Sequence, residues 1–429
     1  MGRDNGDDYL PSHFEGHKGQ RHKHHSTESD SGPPNAGLRA WLQVLASFFL
    51  FFNTWGIINS YGVFQTFYET SLLHESSSSS ISWIGSLQSF LIMFLGVLTG
   101  PVYDAGHIIP LLYVGSFLVV FGHMMLSLCH QFWQVLLAQS FCVGIGAGLL
   151  FVPSIAILST YFTTKLPFTI GIAASGSSLG GVVYPILIRS LLSRVGFGWA
   201  VRIAGFVALF GLSISCAAIR VRILPAEQRK IIAWSAFREL PYASFNLGMF
   251  LCFMGLYTPY YYLQSVALDE HMVPGNLTFY LLPIINAAST FGRLAPGYIS
   301  QVTGPFNVLV PCAIISGVLA LCLLAVHSEA PLLVFCVLYG FFSGSLVSLS
   351  GPILVVLSPS SGVVGTRMGM CFTCLGIALL IGTPIAGAIL DSAGARAVWL
   401  YSGIFTLAGG VIVGIARMSK TSWKLVAKV

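Results

Sequence analysis

The sequence is short of charge. Of 429 residues only 8% are Asp, Glu, Lys or Arg, against about 25% in an ordinary water-soluble domain. Six of the 15 acids lie within the first thirty residues, so the remainder is poorer still. A water-facing surface cannot be built from so few charges, which argues against a soluble enzyme and a disordered scaffold. The net charge of +6 is scattered, and no basic stripe with interleaved aromatics points to nucleic acid. There is no HExxH motif, no mid-helix pair of aspartates and no GxxxxGK[ST] loop. Intramembrane proteolysis and ATP-driven work therefore have no visible machinery, and no cofactor or metal is expected. The nine cysteines all lie in or beside apolar runs; Cys371 and Cys374 form a lone CxxC inside one of them. A disulfide framework or redox site is not indicated, and small buried packing residues are the plainer reading.

What the sequence has is long apolar runs. After a polar stretch (1–38) with His13, His17, His22, His24 and His25, read as a solvated tail, come segments of about 20 residues. That is the length needed to cross about 30 Å of hydrocarbon. Twelve are expected: 41–64, 82–101, 108–128, 132–155, 168–191, 198–219, 243–266, 277–299, 307–326, 331–355, 366–389 and 396–416. The runs are too long and too evenly apolar for barrel strands, and backbone in lipid must bond within its own segment. The expected fold is an all-α membrane protein of twelve spans in two pseudo-symmetric six-helix bundles. Its parts are a cytoplasmic tail (1–38), bundles at 39–219 and 243–417, a charged linker (220–242) and a short tail (418–429). Two halves of equal design suggest a binding site between them. With both termini in the cytoplasm, sixteen of the 21 Lys and Arg fall inside and only Arg189, Arg194 and Arg396 fall outside, as the positive-inside rule requires. Membrane lipid is the expected surrounding, and the plasma membrane the expected location.

Span 8 carries Asn286, Ser289, Thr290 and Arg293 on one helical face. A charge inside a span costs at least about 2.5–3.5 kcal/mol and should face a cavity or a partner. No acid lies one turn away, so the guanidinium fork suits a carboxylate or another planar anion; a structural arginine bonded to helix-end carbonyls is the alternative. Span 7 places Tyr257, Tyr260, Tyr261 and Gln264 at i, i+3, i+4 and i+7, with Pro259 to bend it. This stripe is either packing or a cavity wall. Span 1 is unusually polar, and Asn53 and Asn59 either line a pathway or bond between helices. Span 5 is rich in Gly, Ala and Ser, which lets backbones approach closely. Its Gly176–Gly180 fits GxSxG but sits mid-helix, where a nucleophile elbow cannot form. A sequon at Asn276 is a candidate glycosylation site, close to span 8.

Span 2 ends in Gly100-Pro101-Val102-Tyr103-Asp104-Ala105-Gly106-His107. Asp104 between Gly100 and Gly106 reads as an inner-gate carboxylate, or as an ordinary loop acid. The stretch resembles the loop-2/3 signature of the major facilitator superfamily, without its following bases. It is echoed at Gly292–Gly304, where Gln301 stands in place of the acid.

Within that superfamily the run from Pro34 to Glu69 resembles the start of the monocarboxylate porter family, especially its fungal branch. ISWIGSLQSF at 81–90, GIAASGSSLGGVVYP at 171–185, FGRLAPGY at 291–298 and GTPIAGAIL at 382–390 are similar too. The resemblance covers about 34–417. It implies twelve helices, alternating access and, in animal members, proton-coupled carboxylate transport through a Lys in span 1 and an Asp–Arg pair in span 8. Here Asn59 stands near the Lys position and Ser289 at the Asp position; Arg293 matches. Fungal members imply secondary metabolites or riboflavin as solutes. The expected function is therefore secondary transport of a small organic solute, monocarboxylate-like or a fungal metabolite, by efflux. The proton is the candidate coupling ion. Uptake of a carboxylate or vitamin, and a non-transporting membrane sensor, are the competing readings. The side chains of binding would be Arg293, Asn286, Ser289, Tyr257, Tyr261, Asn53 and Asn59, with Asp104, Gly100 and Gly106 gating.

Overall fold

A computed structural model of the chain describes residues 35–163, 165–222, 232–359, 361–424 and 427–428. The histidine-bearing tail and the linker stretch 223–231 lie outside the described residues. Every regular element among the described residues is helical.

The first span is not one rod. It runs as α1 (Leu38–Asn53), α2 (Trp55–Asn59), α3 (Tyr61–Phe67) and a π-helical turn at Tyr68–Leu72. The breaks fall at Thr54 and Ser60, whose hydroxyls bond back to Leu50 O (2.8 Å) and Ile57 O (2.6 Å). Such back-bonding competes with the helical ladder and bends it. Next come α4 (Ser78–Asp104), capped by the Ser77 side chain on the Ser80 amide, and α5 (Ile108–Leu126). Then α6 (Phe132–Val135) leads through a π-helical stretch into α7 (Gly144–Tyr161).

Spans 5 and 6 are joined as α8 (Leu166–Ala218), 53 residues broken at Gly196. The second half holds α9 (Leu240–Leu256), α10 (Thr258–Asp269), α11 (Gly275–Thr278), α12 (Leu281–Thr303), α13 (Pro305–Cys322) and α14 (Glu329–Val356). It ends in α15 (Ser361–Lys420), 60 residues broken at Gly394. The expected bend near Pro259 is a break at Tyr257 between α9 and α10; Pro259 sits in the first turn of α10, where its missing N–H costs nothing.

Nine helical stretches of the described residues are long and apolar enough to cross a membrane. Two of them, in α8 and α15, contain two crossings each. A further crossing-length helix, α12, is too polar to register by apolarity because one face carries Asn286, Ser289 and Arg293. On its other face Phe291 is 67% exposed while Arg293 is 5% exposed. A helix with that contrast has one side in lipid and the other inside the protein. Phe117 and Phe210 likewise point outward, which water would penalise and hydrocarbon does not.

The turns inside α8 and α15 depend on glycine. Gly196 has φ 76°, ψ 172° and Gly394 has φ 78°, ψ 179°, a region open to glycine alone at a cost of about 1–3 kcal/mol to other residues. No side-chain clash adds to this, since nothing lies within 4 Å of a Cβ at either place. Gly196→Ala and Gly394→Ala are each expected to lower the thermal midpoint of detergent-purified protein by a few degrees, with helical circular dichroism unchanged.

Helices of the earlier and later parts meet along three seams: α4 with α15, α8 with α12, and α3 with α10. Below, the ends of the molecule are called the Asp104 end and the Ser78 end, after the two ends of α4.

Candidate functional site

The seam between α8 and α12 carries a buried polar network. It starts from the spacing of α12, which stacks Asn286, Ser289 and Arg293 over two turns. Gly181 on α8 leaves room for it: a Cβ there would lie 2.5 Å from the Asn286 side chain. Arg293 donates from Nη1 to Ser177 Oγ (2.7 Å) and from Nε to Ser289 Oγ (3.3 Å). Ser178 Oγ donates to Ser289 Oγ at 3.3 Å. Asn286 Nδ2 donates to the backbone carbonyls of Asn59 (3.3 Å) and Leu282 (3.0 Å). Asn59 Nδ2 reaches Ser177 O at 3.5 Å. One network thus ties α2, α8 and α12 together.

The electrostatic neighbours of Arg293 are the phenols of Tyr257 and Tyr260, not a carboxylate. Its hydrogen bonds go to serine hydroxyls rather than helix-end carbonyls. Among the described residues its partners are neutral, and such a cation in a low-dielectric interior keeps its attraction for an anion. Tyr260 Oη pairs with Ser343 Oγ at 3.0 Å, and its ring lies 5.4 Å from that of Tyr257. Several buried polar atoms have no protein partner: Asn286 Oδ1, Thr258 Oγ1 and both amide atoms of Gln88 and of Gln264. Each such atom costs about 1–3 kcal/mol when nothing bonds to it, and a polar solute or water would offset that.

Asn286, Ser289, Arg293, Asn59 and Tyr257 are therefore gathered in one region. Tyr261 turns toward α3 and α4, its ring 4.8 Å from that of Tyr61. Asn53 stands apart: it accepts from Tyr184 Oη (2.7 Å) and donates to Phe49 O (2.7 Å), the inter-helix bonding offered as its second reading. Ser177 and Ser178 are members that sequence reasoning placed among packing residues. The available signal was a pair of adjacent hydroxyls, beginning two residues after that of Ser175, in a run rich in Gly and Ala.

At the Asp104 end, Asp104 is the last residue of α4 and is buried. Gly106 follows with φ 88°, and the turn closes through Gly106 N–H to Tyr103 O (2.9 Å) and His107 N–H to Val102 O (3.1 Å). Gly100 is buried inside α4. Nearby in sequence terms nothing linked Arg367 to Glu239, yet they form a two-pronged ion pair. Arg367 Nη1 donates to Glu239 Oε2 (2.8 Å), Nη2 bonds Oε1, and Nη1 also reaches Leu357 O (2.7 Å). Arg367 is 4% exposed and Glu239 about half exposed. The pair joins the start of α9 to the first turns of α15.

Asn276 lies exposed on α11, but Thr278, the third residue of its sequon, is buried with its hydroxyl on Pro274 O (3.4 Å).

The hydrogen bonds from Arg367 hold the Glu239 carboxyl below the usual carboxylate range. A depressed folded pKa stabilises above the unfolded value and is lost as pH falls through the folded one. Glu239→Gln is expected to cost about 1–2 kcal/mol at neutral pH, less than a fully buried pair because solvent screens the carboxylate. The thermal midpoints of wild type and variant should draw together as pH falls from the usual carboxylate range through the lowered folded value, and a difference that persists below both would rule out the ion pair as its source.

Arg293 thus lies buried along a seam between two sets of spans, bonded to serine hydroxyls and close to two phenols. Known sequences give the family. The profile of the Major Facilitator Superfamily matches residues 41–324. The chain belongs to the Major Facilitator Superfamily. It is 49% identical over 385 residues to an MFS-type transporter of Emericella nidulans, dbaD, covering 89% of this chain and 87% of that one. It is 38% identical to the agnestins efflux protein AgnL12 of Paecilomyces divaricatus, covering 91% of each. It is 37% identical to the aspyridones efflux protein apdF of Emericella nidulans, over 90% of this chain and 79% of that one. This superfamily member is accordingly a multi-pass membrane transporter of small solutes.

Proposed function

We propose that the protein exports an acidic fungal secondary metabolite, by rocking of two six-helix halves (39–219 and 243–417) around the Arg293 network. The single observation behind the acidic solute is Arg293, buried with serine partners and no carboxylate. The relatives named for efflux of agnestins and aspyridones support export. Tyr257 and Tyr260 supply aromatic faces for a ring system. An aromatic weak acid meets both requirements: a planar anion for the fork and a flat apolar body for the phenols.

The sequence resemblance to monocarboxylate porters supports the same assignment at the family level, with the site reduced to its arginine. Ser289 stands where those porters carry an aspartate, so a proton would not be stored beside Arg293. The proton gradient is the proposed driving force, with both termini cytoplasmic, in the plasma membrane. Asp104 with Gly100 and Gly106 forms the proposed gate at the inner end.

The test is flux in vesicles that hold the purified protein, loaded with radiolabelled aromatic carboxylates and their neutral alcohols. Saturable efflux of the acids, abolished by a protonophore, is the expected result. Equal handling of acid and alcohol would remove the anion site, and no flux of any solute by folded protein would remove the transport cycle.

A further inference from the structure

At the Ser78 end a cleft of about 250 Å³ opens between α3, the first limb of α8, the end of α10 and the residue leading into α12. Its polar lining includes Arg189, Ser71 and Ser193, and its apolar lining includes Leu192, Leu268 and Phe279. The Arg189 guanidinium carbon lies 3.4 Å over the centre of the Phe279 ring. That contact occupies one face of the cation. The in-plane N–H donors, which are the ones that grip carboxylate or phosphate oxygens, are left out of it.

Among the described residues no acid, Asp269 beside the lining Leu268 included, forms an ion pair with Arg189. Glu69 is the acid of the adjoining Tyr61–Leu72 stretch, and it stands outside the cleft lining, on the side of Gln65. There it accepts from Gln65 Nε2 at 2.7 Å, and Gln65 also donates to Ser78 O at 3.2 Å. The cleft face of the same stretch is Val63, Thr66, Phe67 and Thr70, whose two threonine hydroxyls donate to backbone carbonyls one turn earlier. Arg189, Ser71 and Ser193 are therefore the donors of the cleft, and they sit against an apolar shelf.

We infer that this cleft is a second anion site, separate from the Arg293 network, that takes an amphipathic anion: one carboxylate, enolate or phosphate on an apolar body. The anion lies in the plane of the Arg189 fork, and its apolar body rests on Leu192, Leu268 and Phe279. The site stands whatever the direction or substrate of transport, because its residues do not overlap with those around Arg293. Two sources share the chemistry, a soluble organic anion and the headgroup region of an anionic lipid.

Site-directed labelling separates them. Thr70 is exposed on the cleft wall with its hydroxyl already bonded to Thr66 O, and Thr70→Cys gives a handle for an impermeant maleimide, read against the native-cysteine background. Full-length protein in phosphatidylcholine nanodiscs is labelled with 2-naphthoate, with 2-naphthalenemethanol, or after incorporation of phosphatidylglycerol. At a probe concentration ten times its Kd, protection should slow labelling by about tenfold. Protection by naphthoate but not by the alcohol assigns a soluble anion; protection by phosphatidylglycerol alone assigns a lipid headgroup. In either case Arg189→Gln should abolish the protection and Arg189→Lys should keep part of it. No protection by either anion, protection equal for acid and alcohol, or protection that survives Arg189→Gln overturns the site. Monodisperse elution and unchanged thermal midpoints of the variants keep loss of fold out of the reading.

Discussion

Arg293→Ala is expected to lower transport of an anionic solute by about 10- to 100-fold, the equivalent of a charge-assisted hydrogen bond worth about 1.5–3 kcal/mol. The variant should still fold. Its removal strands little, because Ser177 Oγ already donates to Ala174 O one turn back at 2.6 Å, and Ser289 Oγ keeps Ser178 as a donor. The cation itself contributes nothing to an ion pair that would be broken, since its electrostatic neighbours are Tyr257 and Tyr260. What is lost is the attraction for an anion in a dry site, and that loss falls on the acid and spares its neutral alcohol. Arg293→Lys keeps the charge as a compact ammonium without the planar fork, so it should recover part of the rate and bind the acid less selectively. The comparison is initial efflux from proteoliposomes at matched protein density. Wild-type rates for the acid in Arg293→Ala would end the anion assignment and leave Arg293 a structural residue.

The parts of this molecule that were legible in the sequence are those set by local patterning. A run of about 20 apolar residues can only be a span, and the three-and-four spacing of Asn286, Ser289 and Arg293 puts them on one face whatever surrounds them. The short connections at Gly196 and Gly394 separate the expected spans, though two spans then join as one long helix on each side of a glycine. Partnerships were not legible. Arg367 and Glu239 lie 128 residues apart, and each alone is an ordinary charged residue near a membrane surface. Ser177 and Ser178 sit among glycines that serve packing: Cβ atoms at Gly176 and Gly180 would fall 2.2 Å and 2.5 Å from carbonyls of α1. Their hydroxyl-bearing neighbours face the opposite way, toward α12. Only the orientation of α8 between its two neighbours divides one short run into a packing face toward α1 and a hydrogen-bonding face toward α12.

That division leads to the second large effect, which distinguishes a moving seam from a fixed one. Gly62 on α3 lies against α10, and a Cβ there would sit 2.3 Å from Tyr260 O. Gly176 on α8 lies against α1, with Phe48 O at 2.2 Å. By contact alone the two substitutions to leucine are equivalent, each overpacking a helix crossing by about 1–3 kcal/mol or more. In a carrier whose halves rock, they differ in kind. The α1–α8 seam lies within one half and is present in every state, so Gly176→Leu penalises the folded protein as a whole and should show as poor expression and a lowered thermal midpoint. The α3–α10 seam must part when the Ser78 end opens, so Gly62→Leu penalises only the closed form. A penalty of that size shifts the balance of states by about 5- to 150-fold. Net transport should fall nearly to zero in a protein that is still folded, with its Ser78 end held open. A cysteine placed at Ser265, which is 6% exposed, should then react with impermeant maleimide far faster than in the Gly62 parent. If Gly62→Leu instead loses stability as Gly176→Leu does, with no gain in labelling, the α3–α10 seam is a fixed core contact and the rocking of these two halves is wrong.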